Sequence, residues 1–149
     1  MKLATFMMPL HPPERRPAET LVEDREAILL ADRLGYCEAY VGEHITDLAE
    51  NVTSCLMFLA SIAHDTNNIV LGSGTLNMPN SHPAAIAAQV AMLDHMLKGR
   101  FIMGISPGGL MSDAEVFGNY QKDRNAIFLE SINMVLEINS RKIALRSFW

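Results

Sequence analysis

Residues 2–8 form a compact apolar run that ends at Pro9 and reads as a buried strand. Behind it the period changes. Thr20 and Glu23 have capping-box spacing, Ala27, Leu30, Ala31 and Leu34 recur at helical intervals, and Gly35 offers a stop. The same alternation then repeats. Residues 37–41 predict a second strand, followed by Leu56, Leu59, Ala60 and Ala63 at helical spacing. Residues 69–71 begin a third. Pro83 suits the first turn of the next helix, Ile86, Val90, Leu93 and Leu97 stripe it, and Gly99 ends it. Residues 101–105 predict a fourth strand, and Phe128, Ile132, Val135 and Leu136 a fourth helix.

Strands that begin near residues 2, 37, 69 and 101 leave room in each unit for the crossover that parallel strands require. The chain therefore reads as α/β, with four βα units. A doubly wound open sheet and half of a TIM (β/α)8 barrel share this rhythm. The glycines weigh against a dinucleotide-binding open sheet. The first strand runs into Pro9-Leu10-His11-Pro12-Pro13, Asn77 stands where a third glycine would follow Gly72 and Gly74, and no Walker sequence occurs. Polar residues instead follow three successive strands: Glu43-His44, then Thr75, Asn77, Asn80, Ser81 and His82, then Ser106-Pro107-Gly108-Gly109. In a parallel barrel those loops open on one rim, where active sites form.

Composition removes several classes of partner. The 149 residues are 49% hydrophobic and 19% charged, which suits one globular core. A net charge of −5 without a basic run speaks against nucleic acid. No apolar run nears the roughly 20 residues of a spanning helix, so no membrane partner is expected. The N-terminal run, broken by Pro9, Pro12 and Pro13, does not read as a secretion signal. Cys37 and Cys55 lack metal or redox spacing and read as core residues of a cytoplasmic protein. His11, His64 and His95 show no ligand spacing either, so no metal is expected.

Ordered motifs then carry a resemblance. They are Glu43-His44, Leu71-Gly72-Ser73-Gly74-Thr75 running to His82-Pro83, and Leu93-Asp94-His95 leading to Gly99-Arg100-Phe101. Gly104-Ile105-Ser106-Pro107-Gly108-Gly109-Leu110 follows, with Ser112-Asp113 and Phe117-Gly118 behind it. In order and spacing these resemble the bacterial-luciferase-like flavin-dependent monooxygenases. The opening Met7-Met8-Pro9-Leu10-His11-Pro12-Pro13 is most similar to the limonene-monooxygenase-like branch. The resemblance covers roughly residues 1–138; residues 139–149 match poorly and read as a divergent or truncated tail.

The resemblance implies a TIM (β/α)8 barrel, of which this chain holds the first four units. It implies a flavoprotein that oxidises a small organic substrate with O2 and reduced FMN. A separate NAD(P)H-dependent reductase would supply the flavin. A related branch transfers hydride with F420, so an F420- or FMN-dependent dehydrogenase is the alternative, and a non-catalytic half-barrel a third reading.

By residue, the resemblance makes His44 the catalytic imidazole, a group whose ordinary pKa suits proton movement near neutrality. Glu43, Gly74, Thr75, Ser106, Pro107, Gly108 and Gly109 are carried over as cofactor-binding, with Gly74-Thr75 packed against the flavin ring through a cis peptide. Glu43 is expected to orient the strand end rather than react. Pro107 stands where the luciferase pattern itself has a basic residue. His82 and Asp113 are substrate or outer-sphere candidates. His82 could equally cap the helix that Pro83 begins, and Asp113 could equally be a first-turn helix acid.

A full barrel takes about 250 residues, so the chain is expected to be an N-terminal fragment and a poor enzyme by itself. Its two outer strands would lack partners, and self-association into a homo-oligomer is expected through them.

Overall fold

The computed structural model describes residues 1–140. The chain folds as β1 (Ala4–Met7), α1 (Pro17–Arg33), β2 (Glu38–Val41), α2 (Cys55–Ile62) and β3 (Val70–Ser73). Then come β4 (Leu76–Asn77), a 3-10 turn (Met78–Asn80), α3 (Pro83–Met96), β5 (Phe101–Ile102), β6 (Ile105–Ser106), α4 (Met111–Val116) and α5 (Arg124–Ser140). Helix α5 thus runs two residues into the segment read as a tail, whose remaining residues, 141–149, lie outside the described residues. No helix among the described residues is long and apolar enough to cross a membrane.

Four strands pair in parallel in chain order, β1-β2-β3-β5. The register joins Phe6 to Tyr40 and Tyr40 to Gly72. A second parallel pair, β4 with β6, continues β3 and β5 beyond a break in each. The run expected as one fourth strand is therefore two short ones. Its break lies at Gly104, whose carbonyl accepts the Ser73 hydroxyl at 2.8 Å and the Leu76 amide at 2.8 Å. A side chain on Gly104 would strike the Ser73 carbonyl. The matching break in the neighbouring strand is the cis peptide between Gly74 and Thr75.

Alternation along the strands separates two faces. Ala39, Val41 and Leu71 enter one apolar core with Ile28 of α1, Leu59 of α2, Ile86 of α3 and Val135 of α5. Phe6, Tyr40 and Gly72 belong to the other face, where Phe6 remains 63% exposed. The core thus gathers α1, α2, α3 and α5 on one side of the sheet. A doubly wound sheet would distribute them over both.

Helix α1 departs from its expected phase. It begins at Pro17, and no side chain caps it, so Thr20 lies inside the helix rather than at its cap. The Thr20 hydroxyl instead donates back to the Pro17 carbonyl at 3.2 Å. Leu30 and Leu34 are exposed, while Thr20, Asp24, Ile28 and Asp32 form the buried row at intervals of four. Two carboxylates on that row set the phase, because each finds partners inside. Asp32 accepts the amides of Asn67, Asn68 and Ile69 at 2.8, 3.0 and 2.8 Å. Arg100 grips the same turn from the far side through the carbonyls of Ile69 and Thr66. On α5, Val135 is buried but Leu136 faces solvent, and α4, which periodicity did not mark, puts Asp113 in its first turn, the alternative raised for that acid. Helix α3 follows expectation: Pro83 opens it, and Lys98 and Gly99 leave it in left-handed conformation.

Burial alone would raise the Asp32 carboxyl. The three amides, with Arg100, outweigh that and hold it below the usual carboxylate range. A lowered folded pKa means stabilisation that is present above the unfolded value and lost as pH falls through the folded one. Asp32→Ala is expected to lower stability by on the order of 3 kcal/mol near neutral pH, with the gap to the native chain closing in acid. Urea denaturation at both pH values checks it.

Candidate functional site

Glu43-His44 follow strand β2, which ends at Val41, and His44 and the next residues are tied to α4 across 65 or more positions of sequence. The tie is Asp113. One of its oxygens meets His44 Nδ1 at 2.9 Å. The other accepts the Ile45 amide at 3.3 Å, the Thr46 amide at 3.0 Å and the Thr46 hydroxyl at 2.6 Å. Thr46 also meets the Ser112 hydroxyl at 2.6 Å. The Asp113 side chain is only 4% exposed, against 19% for His44. Burial pushes the Asp113 carboxyl up, but the hydrogen bonds from Thr46 and His44 prevail and hold it below the usual range. An ionised carboxylate only accepts, so Nδ1 carries the imidazole proton and Nε2 remains the acceptor.

Glu43 has a different task. Its carboxylate accepts the Cys55 amide at 2.9 Å and the Asn77 amide at 3.0 Å, while the Asn77 side chain donates to its carbonyl at 3.2 Å. Cys55 opens α2, so the anion also meets the positive end of that helix. With both oxygens engaged, Glu43 ties the residues after β2 to the start of α2 and to β4. Burial and the neighbouring Glu43 carboxylate push the buried Cys55 thiol far above its usual range, which leaves it inert.

From Asn77 a chain of hydroxyls runs across the strand ends. Thr75 donates to Ser106 at 2.8 Å, Ser106 donates to the Asn77 side-chain oxygen Oδ1 at 2.8 Å, and the Gly108 amide donates to Ser106 at 3.1 Å. His44, Thr75 and Ser106, expected after three successive strands, line one cleft of about 470 Å3. Phe6, Met8, Gly74, Gly109 and Leu110 complete much of its wall. Gly74 is a tight fit, since an added Cβ would lie 2.9 Å from the Phe6 ring. Glu43, His44 and Asn77 also border a second cavity, of about 200 Å3, which Asn80, Ser81 and Asp113 help to line.

Three expected residues stand apart from both linings. Pro107 and Gly108 form the turn behind the first cleft, with Gly108 in left-handed conformation. His82 is exposed and caps α3, its Nδ1 accepting the Ala84 amide at 3.2 Å.

Asn77, named only among the polar residues after the third strand, lines both cavities, whereas Arg124 lines neither and contacts the loop behind the first. Arg124 donates to the Gly108 carbonyl at 3.0 Å and so brings a cation to the glycine loop from the first residue of α5. The departure at Pro107 was the available hint, because a loop without its own cation can take one from a later helix, here α5. Thr46 was equally silent, a lone threonine whose role depends on a partner 67 residues away.

Known proteins resemble this chain in sequence and in fold. The 4-hydroxyprotoasukamycin monooxygenase of Streptomyces nodosus subsp. asukaensis is 33% identical over 91% of this chain and 36% of its own length. The limonene 1,2-monooxygenase of Rhodococcus erythropolis is 37% identical over 76% of this chain and 29% of its own. The chain thus spans about a third of the length of these relatives. Among solved structures, the oxygenating constituent of Pseudomonas putida 3,6-diketocamphane monooxygenase, in complex with FMN, superposes with a TM-score of 0.90. That match is 24% identical and covers 93% of this chain and 40% of that one. The family model for luciferase-like monooxygenases matches residues 1–145, and the chain belongs to that family.

Proposed function

We propose that this chain forms the first four units of a (β/α)8 barrel and the catalytic wall of a flavin-dependent monooxygenase. It would use O2 and reduced FMN to oxidise a small organic substrate. The observation that carries this reading is the His44–Asp113 pair, which presents a fixed imidazole to the cleft floored by Gly74, Thr75 and Ser106.

Reduced flavin, when bound, supplies the two electrons with which O2 is activated. The chain's own residues supply geometry and proton handling. His44 Nε2 accepts or returns a proton at the cleft wall, and Asp113 stabilises the charged imidazole that results. Gly74 leaves space for a flat ring to approach the backbone, and Phe6, Met8 and Leu110 exclude water from it. The Thr75–Ser106–Asn77 chain fixes hydroxyl direction along the cleft. The residues fit an FMN-sized group at one end as well, since Arg124 reaches the glycine loop and offers a phosphate its charge.

The face that carries Phe6 and Tyr40 would be the barrel interior, and β1 and β5 its open edges. Pairing of those edges between copies would make a homo-oligomer. A separate NAD(P)H-dependent reductase would deliver the flavin.

A second reading has one supporting observation. The F420-dependent tetrahydromethanopterin reductase of Methanopyrus kandleri superposes with a TM-score of 0.60 at 26% identity, over 78% of this chain and 30% of that one. The same cleft would then serve hydride transfer by F420 or FMN without oxygen.

Because the described residues build one wall of the site, a single-turnover assay is the suitable test. With chemically reduced FMN, 18O2 and a set of cyclic terpenes and ketones, the product should carry one labelled oxygen atom. Reduced F420 oxidised by substrate without oxygen would favour the second reading instead. His44→Gln is expected to slow oxygenation by about 100-fold or more, with FMN affinity nearly unchanged. A quenched-flow assay and a flavin titration separate the two effects. Arg124→Gln should weaken FMN about 10-fold and riboflavin hardly at all, as a lost charge-assisted contact to phosphate requires. Fluorescence titration with both flavins checks it.

A further inference from the structure

Two cavities meet at His44 from different sides. Glu43, His44 and Asn77 line both, so these three residues form a partition between them. On one side lies the cleft walled by Phe6, Gly74 and Ser106. On the other lies the cavity of about 200 Å3, whose wall continues through Thr53, Asn80, Ser81 and Gln89. Thr53, Ser81 and Gln89 are exposed, so this rear cavity has its mouth on the protein surface. Asp113 lines the rear cavity and not the cleft. Because His44 Nδ1 bonds that carboxylate at 2.9 Å, the Nδ1 edge of the ring faces the rear, and Nε2 is the ring nitrogen left for the cleft.

The chemistry of the rear cavity suits water. Its outer wall is polar and uncharged, and no group among the described residues partners the side chains of Thr53, Asn80, Ser81 and Gln89. Polar groups in that state take water. A water molecule occupies roughly 30 Å3 in the liquid, so the cavity has room for several. Its two carboxylates are already engaged, Glu43 by the Cys55 and Asn77 amides and Asp113 by Thr46 and His44. An anionic guest would meet both of those charges. An apolar guest would leave four polar side chains unpaired.

We propose that the rear cavity is a proton port, a passage of water through which the His44–Asp113 pair exchanges protons with bulk solvent while the cleft stays closed. A closed cleft excludes water, so a group that moves protons inside it needs another route to solvent. When Nε2 takes a proton from the cleft, one N–H bond forms there. The Nδ1–H bond then breaks, and that proton passes along its hydrogen bond to Asp113 and from the carboxylate to water. When Nε2 delivers a proton, the reverse path replaces it at Nδ1. After one uptake and one delivery the ring regains its starting tautomer, with protons and charge balanced. This rests on His44 as the proton carrier, but its test reads exchange with solvent and not turnover, so the port and the oxygenation can fail separately.

The test measures how fast the His44 Nδ1 proton exchanges with water, by NMR of the 149-residue chain, with His44→Gln assigning the signal. Ser81 has extended backbone at the mouth, so Ser81→Leu obstructs the passage without straining the chain. Asn80→Leu keeps the size of a side chain in the wall and removes its polar groups. Each variant should slow the exchange by about 10-fold or more. A substitution that merely loosened the fold would speed it instead, and faster or unchanged exchange in both variants would overturn the proposal. Should neither variant fold, the native chain decides through magnetisation transfer from water to the side-chain amides of Asn80 and Gln89. Transfer from long-lived water supports a hydrated passage, and its absence refutes it.

Discussion

A carboxylate removed from water is tolerated only where hydrogen bonds replace the water, and this fold uses that requirement to join its loops. Asp113 is the central case. It lies at the start of α4, yet its oxygens collect the ring of His44 and the amides and hydroxyl of the segment after β2. Removing that one group would leave several part-buried donors without this acceptor and the imidazole without its orienting contact. Glu43 does the same for the start of α2 and β4, and Asp32 for the turn that enters β3. Each anion is specific to one arrangement of two loops, so the rim is assembled by these contacts rather than by apolar packing.

Much of the scaffold is legible in the sequence because it follows from periodicity. The first three strands, α3 and the order of units depend on local apolar spacing and on Pro83 and Gly99. What periodicity misses is set by partners distant in sequence. The phase of α1 is the clearest instance: a stripe drawn through Leu30 and Leu34 is reasonable locally, but Asp24 and Asp32 turn the helix so that both leucines face water. Leu136 on α5 is likewise exposed, one position beyond the buried Val135. The split of the fourth strand depends on Gly104 receiving Ser73 and Leu76, contacts that no spacing rule encodes.

The site divides along the same line. His44, Thr75 and Ser106 could be placed together because each follows a strand, and parallel strands bring such ends to one rim. Their relation could not be read in advance. A hydroxyl chain through Asn77, a pinning threonine at position 46 and a cation delivered from Arg124 all rest on side-chain geometry. His82 illustrates the converse. A histidine before a proline in a motif-rich stretch invites a functional reading, but the first turn of α3 has unpaired amides, and the ring satisfies one of them.

The distribution of charge gives the rim a consequence beyond its shape. Asp113 is held ionised by donors that only an anion can fully satisfy, whereas Glu50 is pushed toward neutrality by a pocket that offers Oε2 nothing. The difference follows from partners alone: each Asp113 oxygen meets at least one donor, and Oε2 of Glu50 meets none.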